Sequence, residues 1–430
     1  MEEHNYPPAY RSWIILGLAI AFYFSGFFHR MVTAVMADQL MMDFNIGAAA
    51  LGNFSSFYYY SYAAVQIPTG IIADHWGPRK LLTCGTFLSS IGAIVFATAS
   101  TIFTANLGRL IIGASMGVAW VSILKLTTRW FKPESFTLVT GIALGLGIFG
   151  AISAGFPLRI LMNFFGWRAV ITGVGIATLL LGIAIWTFLR DEPAQIGYDN
   201  FDDGIILSVP GSKSSILKDL IKVFRYKNTW ILTFIPATLA GPYLTFTGLW
   251  GVPYLSTHFQ MTPAKSAALI SILLICCALG APISGVLSEK IGRRKPIIFL
   301  ALCCSLLGWF PILYMNNIPT WLIVILFVVI GFASSAIVIG MAFVKESVPV
   351  PFAGTVSGIS NMGMEMGPMI LQPAIGCILD LKWNGAIARG IRIYDLNAYH
   401  TAFSLIIGLI ISGIIIIHFA RETFCRQLRQ

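Results

Sequence analysis

The chain has 430 residues, of which 57% are hydrophobic and only 11% charged, with a formal net charge of +10 and a mean hydropathy of +0.80. That balance excludes an ordinary soluble protein and points to a polytopic membrane protein. The positive charge does not indicate nucleic acid, because the cations gather in the short segments between apolar runs instead of forming one basic face.

A membrane span needs roughly 20 mainly apolar residues, and twelve such runs can be placed. The first half holds spans near 12–37, 48–73, 80–99, 104–129, 134–161 and 167–189. The second holds spans near 228–256, 264–288, 295–314, 319–345, 351–380 and 398–420. The first run is too long for a signal-peptide core and is expected to remain as a span. Between the halves, a polar stretch from Tyr198 to Ser215 reads as the linker. After it, Ile216, Leu217, Leu220, Ile221 and Phe224 recur at helical spacing among Lys218, Lys222 and Arg225, which predicts a short amphipathic helix on the membrane surface. The expected division is therefore an N-terminal bundle at 1–189, a linker at 190–227 and a C-terminal bundle at 228–430.

The second span runs into Gly70-Ile-Ile-Ala-Asp74-His-Trp-Gly77-Pro-Arg79-Lys80. The same pattern returns 215 residues later as Gly285-Val-Leu-Ser-Glu289-Lys-Ile-Gly292-Arg-Arg294-Lys295. Each copy ends a helix in a small residue and a carboxylate, turns at a glycine and opens the next helix with cations. The acid can pair with the cations or sit at a helix N-terminus, where the dipole favours negative charge, so the motif reads as a gate. Arg129 is the expected partner of Asp74. The fifth span, with Gly141, Gly145, Gly147, Gly150 and Gly155, and its counterpart with Gly354, Gly358, Gly363 and Gly367, are dense in small residues that let helix backbones approach closely in lipid.

Most of the 28 cations fall in segments on the side of the two termini, including Arg79, Lys80, Arg190, Lys222, Arg225, Arg294 and Lys295. The positive-inside rule then places both termini in the cytoplasm. The seven cysteines show no CxxC spacing and read as small buried apolar residues, not metal ligands or disulfides.

Taken together, the paired hinges, the six-plus-six spans, Arg109 followed by Gly113 and Gly117, the glycine-proline fifth helix and Gly166-Trp167-Arg168 resemble the major facilitator superfamily over nearly the whole chain. The resemblance implies an all-α membrane protein whose twelve transmembrane helices form two six-helix bundles related by pseudo-two-fold symmetry, working by alternating access. It carries the hinge role onto Gly70, Asp74, Gly77, Arg79 and Lys80, with Gly285, Glu289, Gly292, Arg294 and Lys295 in the second copy. Arg30, together with the tyrosine-rich entrance to the hinge, is similar to the anion:cation symporters and related nutrient permeases. The acid those symporters often carry before the first-helix arginine is His29 here, and the acid of their fourth helix falls on Met116 or Gly117. Organophosphate antiporters carry a seventh-helix arginine, which has no counterpart between Asn228 and Ser256.

An ionisable side chain inside a span costs about 2.5 to 3.5 kcal/mol on insertion scales, so it normally faces a cavity or a partner. Arg30 lies about 26 Å along its helix from Trp13. Its planar fork suits a carboxylate or phosphate, as a substrate anchor or in an internal salt bridge. Glu365 in the eleventh span reads either as a proton-binding switch, because burial raises a carboxyl pKa, or as a partner of Arg30 or Lys125. Lys125 is a second anion contact, a partner for Glu365, or a snorkelling side chain. His29 titrates in a range that suits proton coupling, against a plain packing role, and Arg109 is a further coupling candidate, with Arg159 close to an interface. Tyr58, Tyr62, Gln66, Tyr243, Trp250 and Asn361 are candidate cavity-lining residues.

The expected protein is a monomeric secondary transporter in the bilayer of a bacterial inner membrane, taking up a small organic anion or zwitterion with protons and needing no cofactor or metal. Export of an amphipathic compound or siderophore is the alternative on the same fold, and a receptor that has lost transport is a third reading. No nucleotide-binding loop appears, and the scattered histidines and absence of paired carboxylates argue against an enzyme.

Overall fold

A computed structural model describes residues 5–201, 222–315, 317–349, 352–388 and 390–427, without the side chains at 67, 70, 71 and 73–75. Most of the expected amphipathic helix at 216–224, most of the linker, and the side chain of Asp74 therefore lie outside the described residues.

The described chain is almost entirely helical. In order come α1 (Ala9–Phe44), α2 (Ala48–Ala97), α3 (Ile102–Met116), α4 (Ala119–Trp130), α5 (Phe136–Ser153) and α6 (Phe156–Phe188). The second half follows with α7 (Lys227–Thr245), α8 (Gly251–His258), α9 (Pro263–Ile291), α10 (Lys295–Tyr314), α11 (Thr320–Ser334), α12 (Ile337–Glu346), α13 (Ala353–Leu381), a hairpin of β1 (Ile387–Ala388) and β2 (Ile391–Arg392), and α14 (Leu396–Ile417). Ten stretches among the described residues are long and apolar enough to cross a membrane. The first stretch of α2 and the joined α7–α8 complete twelve spans in two sets of six.

Several spans are broken, the fourth and tenth without a proline at the break. The fourth span divides into α3 and α4 at Gly117 and Val118, and the tenth into α11 and α12 at Ser335 and Ala336. The fifth stops at Ser153 and resumes at Phe156, and the seventh passes through a π turn at Phe246–Trp250. Such local departures from the regular ladder recur at functional sites in helices.

The chain packs as two units. The first comprises Met1–Arg30 and Tyr60–Pro210, the second Met31–Tyr59 and Gly211–Gln430. In the first, Gly108 of α3 lies against the backbone of α2 at Gly92 and Phe96, and Gly150 of α5 against the carbonyl of Phe24 on α1. The Ser90 hydroxyl donates to the Gly175 carbonyl at 2.8 Å, tying α2 to α6. In the second, Gly363 and Gly367 of α13 press on Thr233 and Gly241 of α7, while Trp309, Phe246, Phe327, Phe403 and Tyr254 form a buried aromatic core. Small residues on the fifth and eleventh spans thus serve close contact with the first and seventh, where packing must supply the association that apolar bulk cannot supply in lipid.

All seven cysteines are free. Cys84 and Cys377 are exposed on helix faces, which corrects the expectation that the cysteines are buried: neighbouring helices cover only part of each helix, and a small thiol is tolerated on the face left open.

Candidate functional site

The two hinge copies reach the same result by different backbone paths. Gly77 has φ 77° and ψ 160° and breaks α2 into two helices, whereas Gly292 has φ 68° and ψ 20° and ends α9, its N–H bonding back to the carbonyls of Ser288 and Glu289 at 3.1 Å. After each turn the next helix opens onto a carboxylate. The Arg79 N–H donates to Asp191 Oδ1 at 2.6 Å. The N–H groups of Arg294 and Lys295 each donate to Glu422 at 2.9 Å. Both carboxylates meet the positive end of a helix dipole.

The hinge cations are held as well. The Arg79 guanidinium donates to the Trp186 carbonyl at 2.6 and 3.1 Å and stacks 4.5 Å over the Trp186 ring. Lys295 Nζ donates to the carbonyls of His418 and Ala420 at the end of α14, at 2.7 and 3.2 Å. Arg294 donates to Ser288 and pairs with Glu346 at 2.8 Å. Burial alone would lower the Arg294 pKa, but the hydrogen bond and charge of Glu346 prevail and raise it. Arg129 faces Glu192 at 3.7 Å.

Sequence reasoning misses Asp191, Glu422 and Glu346. A signal exists for the first two. Arg190-Asp191 follows the sixth span and Arg421-Glu422 the twelfth, so the duplication extends to the residues that cap the hinges. These pairs lie 231 residues apart, 16 more than the hinges, because the second half carries a longer loop with the hairpin before its last span.

In the first unit, Arg30 is 5% exposed, and its guanidinium carbon lies 5.3 Å from the Phe27 ring centroid and 5.2 Å from that of Tyr62. Phe27 stands one turn earlier on α1, so helical periodicity brings it beneath the cation. Both rings lie within cation–π reach of the guanidinium, a contact strengthened where water is excluded.

Next to it, His29 is fully buried and packs edge-on against Phe28 at 5.9 Å. Neither of its ring nitrogens has a hydrogen-bond partner among the described residues. Arg109, also fully buried, donates to the His29 carbonyl at 2.6 Å and so joins α3 to α1 beside Arg30. Lys125 and Gln66 are half-buried.

In the second unit, Glu365 is fully buried on α13. Asn361 lies four residues before it and Gln372 seven after, on one helix face. Gln372 donates to the Leu244 carbonyl at 3.4 Å, and the Trp250 indole N–H donates to the Gln372 carbonyl at 3.1 Å. Tyr58 and Tyr59 are buried with rings 5.5 Å apart, and Tyr243 is buried too. Trp250, Asp38, Tyr399 and Arg392 line a cavity of about 430 Å³ within this unit.

Comparison with known proteins follows the same lines. The description "Major Facilitator Superfamily" matches residues 18–252 and 239–424. The chain is 23% identical over 433 residues to "Uncharacterized transporter YybO" of Bacillus subtilis (strain 168), covering 95% of each. It is 24% identical to "Probable galactarate/D-glucarate transporter GudP" of the same organism, covering 87% of this chain and 88% of that one. Among solved structures it is similar to the nucleoside transporter NupG, with a TM-score of 0.72 at 14% identity over 94% of this chain and 98% of that one.

Proposed function

Starting from a chain that belongs to the Major Facilitator Superfamily, we propose that it is a proton-coupled importer of a small organic anion or zwitterion, with Arg30 holding the anionic group. The observation that carries this reading is the Arg30 guanidinium, 5% exposed and set 5.3 and 5.2 Å from the ring centroids of Phe27 and Tyr62. A cation so far from water is costly, and a planar fork beside two aromatic rings suits a carboxylate. The similarity to a galactarate/D-glucarate transporter supports an acidic, hydroxylated substrate.

In this scheme Lys125, Gln66, Tyr62, Tyr58, Tyr243, Trp250 and Asn361 contribute to substrate contact. Glu365 takes and releases the proton, with His29 and Arg109 linking that event to the substrate end. The bundles at 1–189 and 228–430 move about the hinges, and the cation distribution puts both termini in the cytoplasm. The chain acts as a monomer.

Uptake of D-glucarate, galactarate and simple monocarboxylates into proteoliposomes under an imposed proton gradient tests the proposal. Arg30→Ala should abolish uptake, and Arg30→Lys should raise KM while retaining transport. Glu365→Gln should lose gradient-driven accumulation but keep exchange. Uptake by Arg30→Ala with an unchanged KM would remove Arg30 from the scheme.

A further inference from the structure

By the 215-residue repeat, residues 31–59 belong to the first half of the chain, yet they pack with the second. The seam is made by backbone. Gly52 of α2 lies against the carbonyl of Gln372, and Gly376 of α13 against that of Ala48, so close that any Cβ there would overlap.

One end of this seam is polar. Asp380, in the last turn of α13, turns its carboxylate onto the N-terminus of α2, accepting from the N–H groups of Ala48 at 3.2 Å and Ala49 at 2.9 Å. The Tyr394 hydroxyl donates to Asp380 at 2.5 Å and accepts from the Ala48 N–H at 2.9 Å. Arg392 pairs with Asp380 at 3.2 Å and stacks 4.5 Å over Trp383. Burial, and then the hydrogen bond to Asp380, push the Tyr394 phenol above its usual range, so it remains a donor.

The segment that supplies Arg392 and Tyr394 is itself tied down. Ile387 pairs with Arg392 across the hairpin, and Asp395 caps α14 through the Ala398 N–H at 2.8 Å. Ala388, Ile391, Arg392 and Ile393 of this segment form one wall of the 430 Å³ cavity, and Ala34, Ala37 and Asp38 of α1 form another.

We infer that Asp380, Tyr394 and Arg392 form a latch that holds the start of α2 against the end of α13 and limits access to this cavity, about 40 Å along α2 from the Gly77 hinge. Opening the cavity further requires the amides of Ala48 and Ala49 to leave Asp380. The carboxylate then keeps Arg392 as its partner, so the charge is not stranded when the helices part. The latch rests on the reading that the two halves move apart, but not on which substrate moves.

The test is alkylation by N-ethylmaleimide of a probe cysteine introduced as Ala37→Cys in the full-length purified protein, read at that position by mass spectrometry. Removing charge-assisted bonds from the latch should raise the rate at position 37 by roughly tenfold in Asp380→Asn and by a smaller factor in Tyr394→Phe. Native Cys276, buried in α9, reports on general loosening and should keep its rate. An unchanged rate at position 37 in Tyr394→Phe would overturn the latch, as would an equal rise at Cys276. If Asp380→Asn fails to fold, Tyr394→Phe alone decides. Because no substrate is used, failure here leaves the anion-transport reading intact, and failed uptake assays leave this result standing.

Discussion

The two hinge glycines should respond very differently to the same substitution. Gly77, at φ 77° and ψ 160°, occupies a region of backbone space that is essentially glycine-only and costs other residues about 1–3 kcal/mol. A Cβ there would also fall 2.8 Å from a carboxylate oxygen of Asp191, the group that accepts the Arg79 N–H. Displacing Asp191 forfeits a cap worth about 1 kcal/mol, so Gly77→Ala should cost about 3 kcal/mol in all. Gly292, at φ 68° and ψ 20°, is an ordinary left-handed helix cap, and the space a methyl group would enter holds no atom within 4 Å. Gly292→Ala should cost about 1 kcal/mol and Gly292→Asn less, since asparagine tolerates that conformation. Thermal unfolding of the purified protein, followed with a thiol-reactive fluorophore, should show a midpoint drop about three times larger for Gly77→Ala. In an Asp191→Ala background the added cost of Gly77→Ala should shrink, as expected of groups in contact. Equal shifts at the two glycines, or full additivity with Asp191→Ala, would refute the reasoning.

Other substitutions test the packing and the ion pairs by the same measurement. Glu346→Ala leaves Arg294, whose side chain is 6% exposed, without its carboxylate, and should destabilise by about 3 kcal/mol. Glu192→Ala removes a pair whose side chains are 39% and 36% exposed, and should change stability by no more than about 0.5 kcal/mol. Gly363→Ala drives a methyl into the Thr233 carbonyl on α7 and should cost at least about 2 kcal/mol. Gly358→Ala, on the same helix in open space, should be neutral or slightly stabilising.

Whether a feature can be read from the sequence depends on whether it is local in the chain. Apolar runs of span length, the repeated glycine hinge and the small-residue faces of the fifth and eleventh spans are written in neighbouring residues, and each has its counterpart in the fold. The carboxylates that cap the hinges are not local: Asp191 acts on a helix that begins 112 residues earlier, through backbone N–H groups that every sequence possesses. The breaks at Gly117 and Ser335 carry no proline and depend on neighbouring helices, so periodicity runs through them. Arg30 and Tyr62 each stand out as residue types, but their proximity requires knowing which faces of α1 and α2 meet. Asp380 stands out by nothing, since an acid at the end of a span usually faces water.

The placement of residues 31–59 bears on how the protein can be divided. A cut in the linker would separate the two copies as inherited, but it would strip the start of α2 from Gly376 and Asp380 and leave glycine-lined backbone with no surface to lie on. Co-expressed fragments would have to find each other to regain that fit. Ancestry and cohesion therefore draw different borders through the same chain, and α1 and α2 cross between them.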